Sequence, residues 1–453
     1  MLVAKNLSWL MLLSLSVPLS SLVACGSKSN DAAASDDSGV GSDDDTGAID
    51  STPPPRHDSA PVDTGPEVDR GAPSDTYPAV KMELPQLSNN GGYVMGAPTI
   101  VTVTWPTDRN ADKFEAFGDA IGASKYWEAI TAEYGVGKAK SGPENHVRLT
   151  DAPPAEMDTG AAETFLVNAL SDPKTKWPAP TDDTIYVLYV SASTKFIYNG
   201  EDACRVIGGY HTSTMVGDKR VAYAVIPPCK RYGLSAIDAA TSAASHELGE
   251  AATDPFENAG FRGFDLPHAS WELFQRFQTE NGDACEFYQE SYYKEDGDLP
   301  FAVQRQWSNK NALGGHDPCA PVPSGETYFN VTPLSLDNIT VSLASGGGSS
   351  RTHTKGYLIP VGETRTVTLE FVSDRPMPEW TIDAVEGNPL LPPTADDAHL
   401  DLSVIAGTGV NGQKAYLTIK VNSAGRTKAE LVTVVSSSPG GLSHYMPILI
   451  GSM

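Results

Sequence analysis

The chain has 453 residues and carries 57 Asp and Glu against 32 Lys and Arg, a formal net charge of −25. Hydrophobic residues make up 40% of it, so we expect two or three domains with buried cores. Such an acidic surface repels nucleic-acid phosphates and anionic lipid headgroups. The composition therefore excludes a nucleic-acid partner and electrostatic binding to membranes.

The N-terminus has the pattern of an export signal. Lys5 precedes an apolar run from Leu10 to Val23 that serines and a proline interrupt, which is too short and broken to span a bilayer. The Leu-Val-Ala-Cys sequence ending at Cys25 resembles the bacterial lipobox, which implies cleavage after residue 24 and lipidation of Cys25. Position 26 is a glycine and not the aspartate that is associated with retention at the inner membrane. We therefore expect the protein to be anchored to the outer membrane and to face the periplasm or the exterior. The alternative is a conventional signal peptide with an incidental cysteine.

Residues 25–78 read as a disordered acidic stalk. Between Gly26 and Tyr77 there are twelve carboxylates and three basic residues, with almost no large apolar side chain. Such a segment buries too little apolar surface to offset the entropy of ordering. We therefore expect order to begin after the stalk.

Residues 79–322 show alternating strand and helix patterns. β-branched and aromatic runs predict buried strands, whereas apolar residues at helical spacing predict helices. The predicted elements are a strand at 99–105, two short helices within 111–134, a helix at 160–170, a strand at 184–190 and a hairpin of 204–211 with 220–226. This order predicts an α+β domain with a mixed sheet.

Residues 323–453 have a different character. Short runs alternate polar and apolar residues between Gly, Pro, Asn and Asp, with no helical stretch. This pattern predicts a separate all-β sandwich of immunoglobulin-like size. His353, His399 and His444 are isolated in it, and we expect them at the surface.

One Ala-rich segment between Leu234 and Pro255 carries the clearest chemical motif. Ser235 with Asp238 three residues later resembles a capping box, which predicts a helix of about 17 residues. Within it, the four-residue spacing places His246 and Glu250 on one helix face. The motif has the geometry of the His-Glu-x-x-His zinc peptidases, in which the intervening glutamate, here Glu247, activates water.

Glu250 stands where those peptidases have a second histidine. A carboxylate is an acceptable zinc ligand, but the exchange also admits a hard ion such as Ca²⁺. The alternative is an Ala-rich core helix in which His246 is hydrogen-bonded internally and both glutamates are solvated.

A third ligand has to come from outside this helix. Asp254 is too far away unless the chain bends sharply at Pro255, because eight helical residues separate it from His246 by about 12 Å of rise. Glu280 and Asp283, some 30–40 residues further on, are the main candidates, and His211 is another.

The cysteines indicate an oxidising compartment. If Cys25 carries lipid, four cysteines remain, which allow three pairings. We expect disulfides Cys204–Cys229 and Cys285–Cys319, because each pair brackets one local unit. Four metal-binding thiolates are the weaker alternative, since the chain has no Cys-x-x-Cys.

Several motifs together resemble the phosphate-induced or EXORDIUM-like family and its bacterial relatives over residues 93–320. The motifs, in order, are Tyr126-Trp127, Glu133-Tyr-Gly-Val-Gly, Gly-Tyr-His211, Ser-His246-Glu-Leu-Gly-Glu-Ala-Ala-Thr-Asp-Pro, Glu280-Asn-Gly-Asp-Ala-Cys-Glu and Gln304-Arg-Gln-Trp-Ser-Asn. The resemblance implies that His246, Glu250 and the 280–283 region form one site. It also implies a secreted or wall-associated protein, in a family linked to plant growth signalling that has no firmly assigned reaction.

Two functional hypotheses follow. The first is a lipid-anchored, zincin-like metallohydrolase that cleaves peptide bonds in the cell envelope, with Zn²⁺ on His246 and Glu250 and with Glu247 as general base. The chain order resembles that of zincins, because the hairpin directly precedes the motif helix and its edge strand would bind an extended peptide. The second is a non-catalytic surface module with a structural metal site or none. We expect a monomer in either case.

Overall fold

The computed structural model describes residues 68–452 except 231–232, 257–258, 276–278, 295–296, 346–347 and 392–397. The predicted signal peptide, Cys25 and most of the predicted stalk lie outside the described residues. Among the described helices, none is long and apolar enough to cross a membrane. The described residues belong to one compact unit, Pro66–Met453.

Helices and strands alternate in the first part of this unit. Its helices are α1 (Ala111–Ile121), α2 (Lys125–Thr131), α3 (Thr159–Ser171), α4 (Ala236–Thr253), α5 (Ala269–Phe274), α6 (Asp283–Glu286) and α7 (Asn309–Gly314). Short 3₁₀ helices cover Ala132–Tyr134, Pro143–Asn145, Ala203–Arg205 and Leu266–His268.

The strands of the first part are β1 (Leu87–Asn89), β2 (Thr99–Thr104), β3 (His146–Arg148), β4 (Glu156–Asp158), β5 (Thr184–Tyr189), β6 (Lys195–Tyr198), β7 (Glu201–Asp202), β8 (Tyr210–Val216), β9 (Lys219–Ile226), β10 (Phe261–Phe264), β11 (Tyr292–Tyr293), β12 (Val303–Gln304), β13 (Gln306–Trp307) and β14 (Cys319–Ala320). The C-terminal part contains β15 (Phe329–Pro333), β16 (Asp337–Ser345), β17 (Gly348–Ile359), β18 (Thr364–Ser373), β19 (Trp380–Glu386), β20 (Leu400–Ile405), β21 (Thr408–Gly409), β22 (Lys414–Val421), β23 (Ala429–Ser437) and β24 (Ser443–Ser452).

A five-stranded mixed sheet in the order β3-β2-β5-β9-β8 forms the centre of the first part. β2, β3, β5 and β9 run parallel, and β8 pairs antiparallel with β9 at the sheet edge. Phe117 of α1, Trp127 of α2 and Leu248 of α4 share one core with the sheet. Leu166 of α3 belongs to another core that includes Val103 and other strand residues. The predicted mixed α/β architecture is confirmed.

Helix α4 follows its sequence signals closely. The Ser235 hydroxyl accepts the Asp238 backbone N–H at 3.2 Å, which is the predicted N-terminal cap. The helix ends at Thr253, and the Asp254 carboxylate accepts the Gly260 N–H at 2.9 Å. Asp254 therefore stabilises the turn after the helix.

The hairpin before α4 begins later than predicted. Residues 204–211 were expected to form its first strand, but β8 starts at Tyr210, and Cys204 lies in a 3₁₀ helix. The Asp202 carboxylate accepts the Cys204 N–H at 3.0 Å, and Cys204 is bonded to Cys229, so both contacts hold this segment as a loop. Both predicted disulfides, Cys204–Cys229 and Cys285–Cys319, are confirmed.

The C-terminal region contains two sheets. Their strand orders are β15-β18-β22-β20 and β16-β17-β24-β23-β19-β21. Leu369 and Leu417 of the first sheet share a buried core with Trp380 and Val432 of the second. The prediction of a β-rich C-terminal region is confirmed, and no helix follows α7 in the described residues.

This core also extends into the first part. It includes Trp271 of α5 and Trp307 of β13 together with Phe329 of β15. The predicted boundary at residues 322–323 therefore separates two architectures, but side chains from both sides of it belong to one hydrophobic core. The sandwich was expected to be separate because sequence patterning reports each element's period and not which elements share a core.

The end of the predicted stalk is ordered against the C-terminal sheets. The Lys414 N–H donates to Arg70 O at 2.7 Å, and the Asn411 amide donates to Ser74 O at 3.0 Å and to Thr76 O at 2.7 Å. Backbone carbonyls within residues 68–78 thus accept hydrogen bonds from the C-terminal region, which the composition of this segment did not indicate.

His444 was expected at the surface and is instead buried. Its ring makes edge contacts with Tyr328 and Phe329, each at a centroid distance of 4.8 Å. Burial lowers the pKa of His444 to about 4, with a smaller opposing effect from Asp317. His444 lies on β24, most of whose residues are buried, and the residues that surround one position of a strand cannot be identified from the sequence.

Candidate metal centre

Four segments bring titratable side chains together beneath the edge of the central sheet. β8 contributes His211, α4 contributes the predicted motif, β10 contributes Arg262, and the segment entering α6 contributes two acids. The group is His211, His246, Glu247, Glu250, Arg262, Glu280 and Asp283. Side-chain exposure is 10% or less for all except Asp283 at 30% and Arg262 at 33%.

One set of donors contains His246, Glu250 and Asp283. His246 Nε2 lies 3.1 Å from Glu250 Oε2 and 3.6 Å from Asp283 Oδ1. Glu250 Oε1 accepts the backbone N–H of Asp283 at 3.0 Å. The start of α6 is therefore tied directly to the motif helix.

A second set shares Glu250 and contains His211 and Glu247. His211 Nδ1 lies 3.3 Å from Glu250 Oε2 and 3.4 Å from Glu247 Oε2. His211 Nε2 lies 3.5 Å from Glu280 Oε2, and the other oxygen of Glu280 accepts Arg262 Nη1. Glu280 thus links the arginine to the histidine.

Gln304 determines the orientation of the His246 ring. Its Nε2 donates to Gly282 O at 2.8 Å, which leaves Oε1 facing His246 Nδ1 at 2.9 Å. A carbonyl oxygen only accepts, so Nδ1 carries the proton in this contact. In the neutral ring, Nε2 then presents its lone pair to Glu250 and Asp283, which is the tautomer a metal ligand requires.

Gly282 and Gly209 lie so close to the cluster that a larger residue at either position would overlap its side chains. A Cβ at position 282 would lie 2.8 Å from Glu250 Oε1 and 2.9 Å from His246 Nδ1. A Cβ at position 209 would lie 2.8 Å from Glu247 Oε1. Alanine at either position would therefore displace a member of the cluster.

The charges of the cluster shift one another's protonation. Burial lowers the pKa of each imidazole, but the surrounding carboxylates outweigh it and hold the pKa of His211 and His246 well above the usual range. Burial raises the pKa of Glu250, yet the two histidines reverse this and lower it. Burial raises the pKa of Glu280 to about 7 and, together with Glu250, raises the pKa of Asp283 well above its ordinary value.

The donor set of His246, Glu250 and Asp283 could hold a metal ion, and its spacing can be compared with that of a zinc site. Zinc ligands lie about 2.0–2.2 Å from the ion, so neighbouring donors of a tetrahedral site are about 3.3–3.6 Å apart. The separations of 3.1 and 3.6 Å from His246 Nε2 are close to this range. A divalent cation bound here would favour the charged forms of these carboxylates.

The predicted site residues therefore lie close together, but Asp283 and not Glu280 accompanies His246 and Glu250. His246, Glu250 and Asp283 form one donor set, whereas Glu280 contacts Arg262 and His211 instead of joining it. No sequence pattern marks Arg262, because an arginine 18 residues before its partner carries no recognisable signal. Gln304 belongs to a sequence motif, but nothing in that motif indicates its contact with His246.

Two clefts meet at the cluster. One, of about 530 Å³, lies between the 204–209 loop and α4. The other, of about 570 Å³, follows β8 and includes Tyr198 and Tyr223. His246, Glu247 and Asp283 line both. The cluster is thus open to a ligand that passes from one cleft to the other.

No protein-family model and no curated protein matches the sequence. Among solved structures, a conjugative transposon lipoprotein from Bacteroides eggerthii has a TM-score of 0.17 at 14% identity, covering 27% of this chain and 95% of its own. The titin M10 and obscurin-like 1 immunoglobulin complex scores 0.14 at 11% identity, covering 22% of this chain and 84% of the other. A nucleoside hydrolase-related hypothetical protein from Saccharophagus degradans scores 0.23 at 8% identity, covering 79% of this chain and 100% of its own. Likenesses this weak bear neither on fold nor on function.

Proposed function

We propose that the protein is a zinc-dependent hydrolase that cleaves peptide bonds in extended substrates. The observation that carries this proposal is the contact of His246 Nδ1 with Gln304, which turns Nε2 toward Glu250 and Asp283. A hydrogen-bonded core histidine needs no such arrangement of carboxylates around its second nitrogen. The imidazole of His246 among the donors favours zinc over Ca²⁺, which prefers oxygen ligands.

His246, Glu250 and Asp283 would hold the ion. Zinc at this position supplies a Lewis acid that polarises a carbonyl and lowers the pKa of water. Glu247 follows His246 directly and lies beside the same donors, as its 3.4 Å contact with His211 indicates. Its carboxylate accepts a proton from the attacking water and passes it to the leaving amine as the C–N bond breaks.

His211 and Glu280 would position this base. The imidazole lies between the Glu280 carboxylate and the carboxylates of Glu247 and Glu250. Arg262 holds the far oxygen of Glu280. This chain of contacts restrains the ring that Glu247 faces, which is the support that a catalytic carboxylate needs.

The edge strand β8 supports a peptide as the substrate. It is the outermost strand of its sheet and carries His211, so its free main-chain groups run past the cluster. An extended peptide adds to such an edge by backbone hydrogen bonds.

We also propose a fold type for each part of the chain and a location for the protein. The edge strand before the motif helix supports a zincin-like arrangement of the first part, and two sheets around one core support an immunoglobulin-like sandwich for residues 323–453. The sequence motif at Cys25 supports lipid anchoring to the outer membrane and a substrate in the cell envelope. A monomer remains our expectation.

Glu247→Gln tests the mechanism. We expect the variant to keep its zinc and to lose peptide hydrolysis by roughly 10²–10⁴-fold, because the amide cannot accept the proton. Glu128→Gln, at an exposed position of α2, is the matched control and should behave as wild type. Undiminished turnover by the Glu247 variant would refute the mechanism, and zinc without any peptide cleavage in wild type would favour a structural metal site.

A further inference from the structure

The ring of His211 is held in the same manner as the ring of His246. Its Nε2 lies 3.5 Å from Glu280 Oε2. Its other nitrogen, Nδ1, lies 3.3 Å from Glu250 Oε2 and 3.4 Å from Glu247 Oε2. An ionised carboxylate only accepts, so in the neutral ring the contact with Glu280 leaves the proton on Nε2 and the lone pair on Nδ1. A histidine between an outer carboxylate and a set of donors is the usual arrangement of a metal ligand.

Arg262 holds the acid on the outer side of this ring. Its guanidinium donates to Glu280 Oε1, the oxygen that does not face His211. A neighbouring guanidinium favours the charged form of a carboxylate, which is the form that accepts the Nε2 proton. The side chain of Glu280 is only 5% exposed. Glu280 and Arg262 therefore have the position of the outer partners that orient a ligand histidine.

The donors around His211 Nδ1 have the separation of metal ligands. His211, Glu247 and Glu250 each offer one atom, and these atoms lie within 4.8 Å of one another. The separations of 3.3 and 3.4 Å from Nδ1 match the roughly 3.3–3.6 Å between neighbouring donors of a tetrahedral zinc site. All three side chains are 6% exposed or less. One buried imidazole with two buried carboxylates is a donor set suited to a divalent transition metal.

Glu250 belongs to both donor sets through one oxygen. Its Oε2 lies 3.1 Å from His246 Nε2 and 3.3 Å from His211 Nδ1, whereas Oε1 accepts the backbone N–H of Asp283. Ions that share ligands in two-metal sites lie about 3.5–4 Å apart. A cation can reach the second set, because His211 and Glu250 line the cleft that follows β8.

We propose that a second divalent cation binds between His211, Glu247 and Glu250 and shares Glu250 Oε2 with the ion of the first set. Two cations this close repel each other, so the second binds more weakly and fills only at a higher zinc concentration. This site goes beyond the proposed function, which uses one ion. While the second ion is bound, Glu247 is a ligand and does not accept a proton, and this consequence alone rests on the proposed function.

Isothermal titration of the full chain with Zn²⁺ tests the site. We expect two binding events, the second weaker by roughly tenfold or more. His211→Ala should remove the second event and keep the first, which also shows that the variant is folded. His316→Ala, at a 54% exposed imidazole that pairs with Asp374, is the matched control and should keep both events.

Glu280→Gln is a second variant, which leaves every ligand in place. It should weaken only the second event, by roughly 10- to 100-fold, the usual effect of losing the outer partner of a ligand histidine. A crystal structure at saturating zinc should show two anomalous-scattering peaks about 3.5–4 Å apart, one beside each histidine.

These measurements separate the second site from the proposed function, because they contain no peptide. Two events in a protein that cleaves no peptide would support the second site and count against the hydrolase. A single event, or a second event that survives His211→Ala, would overturn the second site and leave the hydrolase standing. A single event that His211→Ala and His246→Ala both abolish would overturn it as well, because the two histidines would then hold one ion.

Discussion

One carboxylate oxygen of Glu250, Oε1, accepts the backbone N–H of Asp283 at 3.0 Å. The other oxygen therefore faces the two imidazoles, 3.1 Å from His246 and 3.3 Å from His211. This contact links the helix motif to the 280–283 segment, and it explains why Asp283 enters the donor set of the helix.

Gln304→Leu should weaken zinc binding by about 10- to 100-fold, because the His246 ring loses the acceptor that fixes its tautomer. Zinc affinity is measured by competition with a chromophoric chelator, and circular dichroism checks the fold. Gln289→Leu, at an exposed position, is the matched control. Wild-type affinity in the Gln304 variant would mean that the ring is held by something else.

Gly282→Ala should lower zinc affinity by more than tenfold, because the new Cβ would approach Glu250 Oε1 and His246 Nδ1 to under 3.0 Å. Gly96→Ala adds a Cβ that meets nothing within 4 Å and should bind zinc as the wild type does. The same chelator competition compares them. Equal affinities in both variants would contradict the packing described around the cluster.

Asn411→Ala should lower the free energy of unfolding by more than about 2 kcal/mol, because several buried groups lose their partners. The buried amide accepts from the N–H of Ala79 and Ser373 at 3.0 Å and donates to two carbonyls of the 68–78 segment. Urea unfolding provides the measurement. Asn388→Ala is a milder comparison, because it removes two side-chain hydrogen bonds, one donated to Phe274 O and one accepted from the N–H of Leu390. A loss no larger than that of the comparison variant would show that the segment is not clamped by Asn411.

His444 should make the protein less stable in acid. Its folded pKa of about 4 lies below the ordinary value of 6.5, so the unfolded chain binds the extra proton first. Its contribution is therefore complete above pH 6.5 and is lost as the pH falls toward 4, about 3 kcal/mol in all. In His444→Gln, unfolding measured between pH 7 and pH 4 should show a correspondingly shallower loss. An equally steep loss in the variant would assign the acid sensitivity to other groups.

Much of the fold was predictable because its signals are local. The Ser235 cap, the alanines of α4 and the β-branched run of β5 act within a few residues, and each predicted element formed. The disulfide pairs were predictable because each closes a short loop, of 25 and 34 residues. These features depend on near neighbours in the chain.

The remaining features depend on distant neighbours. The start of β8 was predicted six residues too early because a disulfide and an Asp202 contact override the strand propensity of the loop. The burial of His444 and the pairing of Arg262 with Glu280 follow from tertiary packing. From the sequence, Glu280 and Asp283 were equally good candidates for the site. Only the structure shows that Asp283 lies with His246 and Glu250, whereas Glu280 contacts Arg262 and His211.

Metal content is the most direct test of the central claim. The full chain, purified without chelators and analysed by inductively coupled plasma mass spectrometry, should contain about one zinc per chain. The double variant His246→Ala/Glu250→Ala should contain none, while His146→Ala, whose imidazole pairs with Asp119 on α1, should match the wild type. A wild-type protein without zinc after incubation with the ion, or equal zinc in the double variant, would contradict the account.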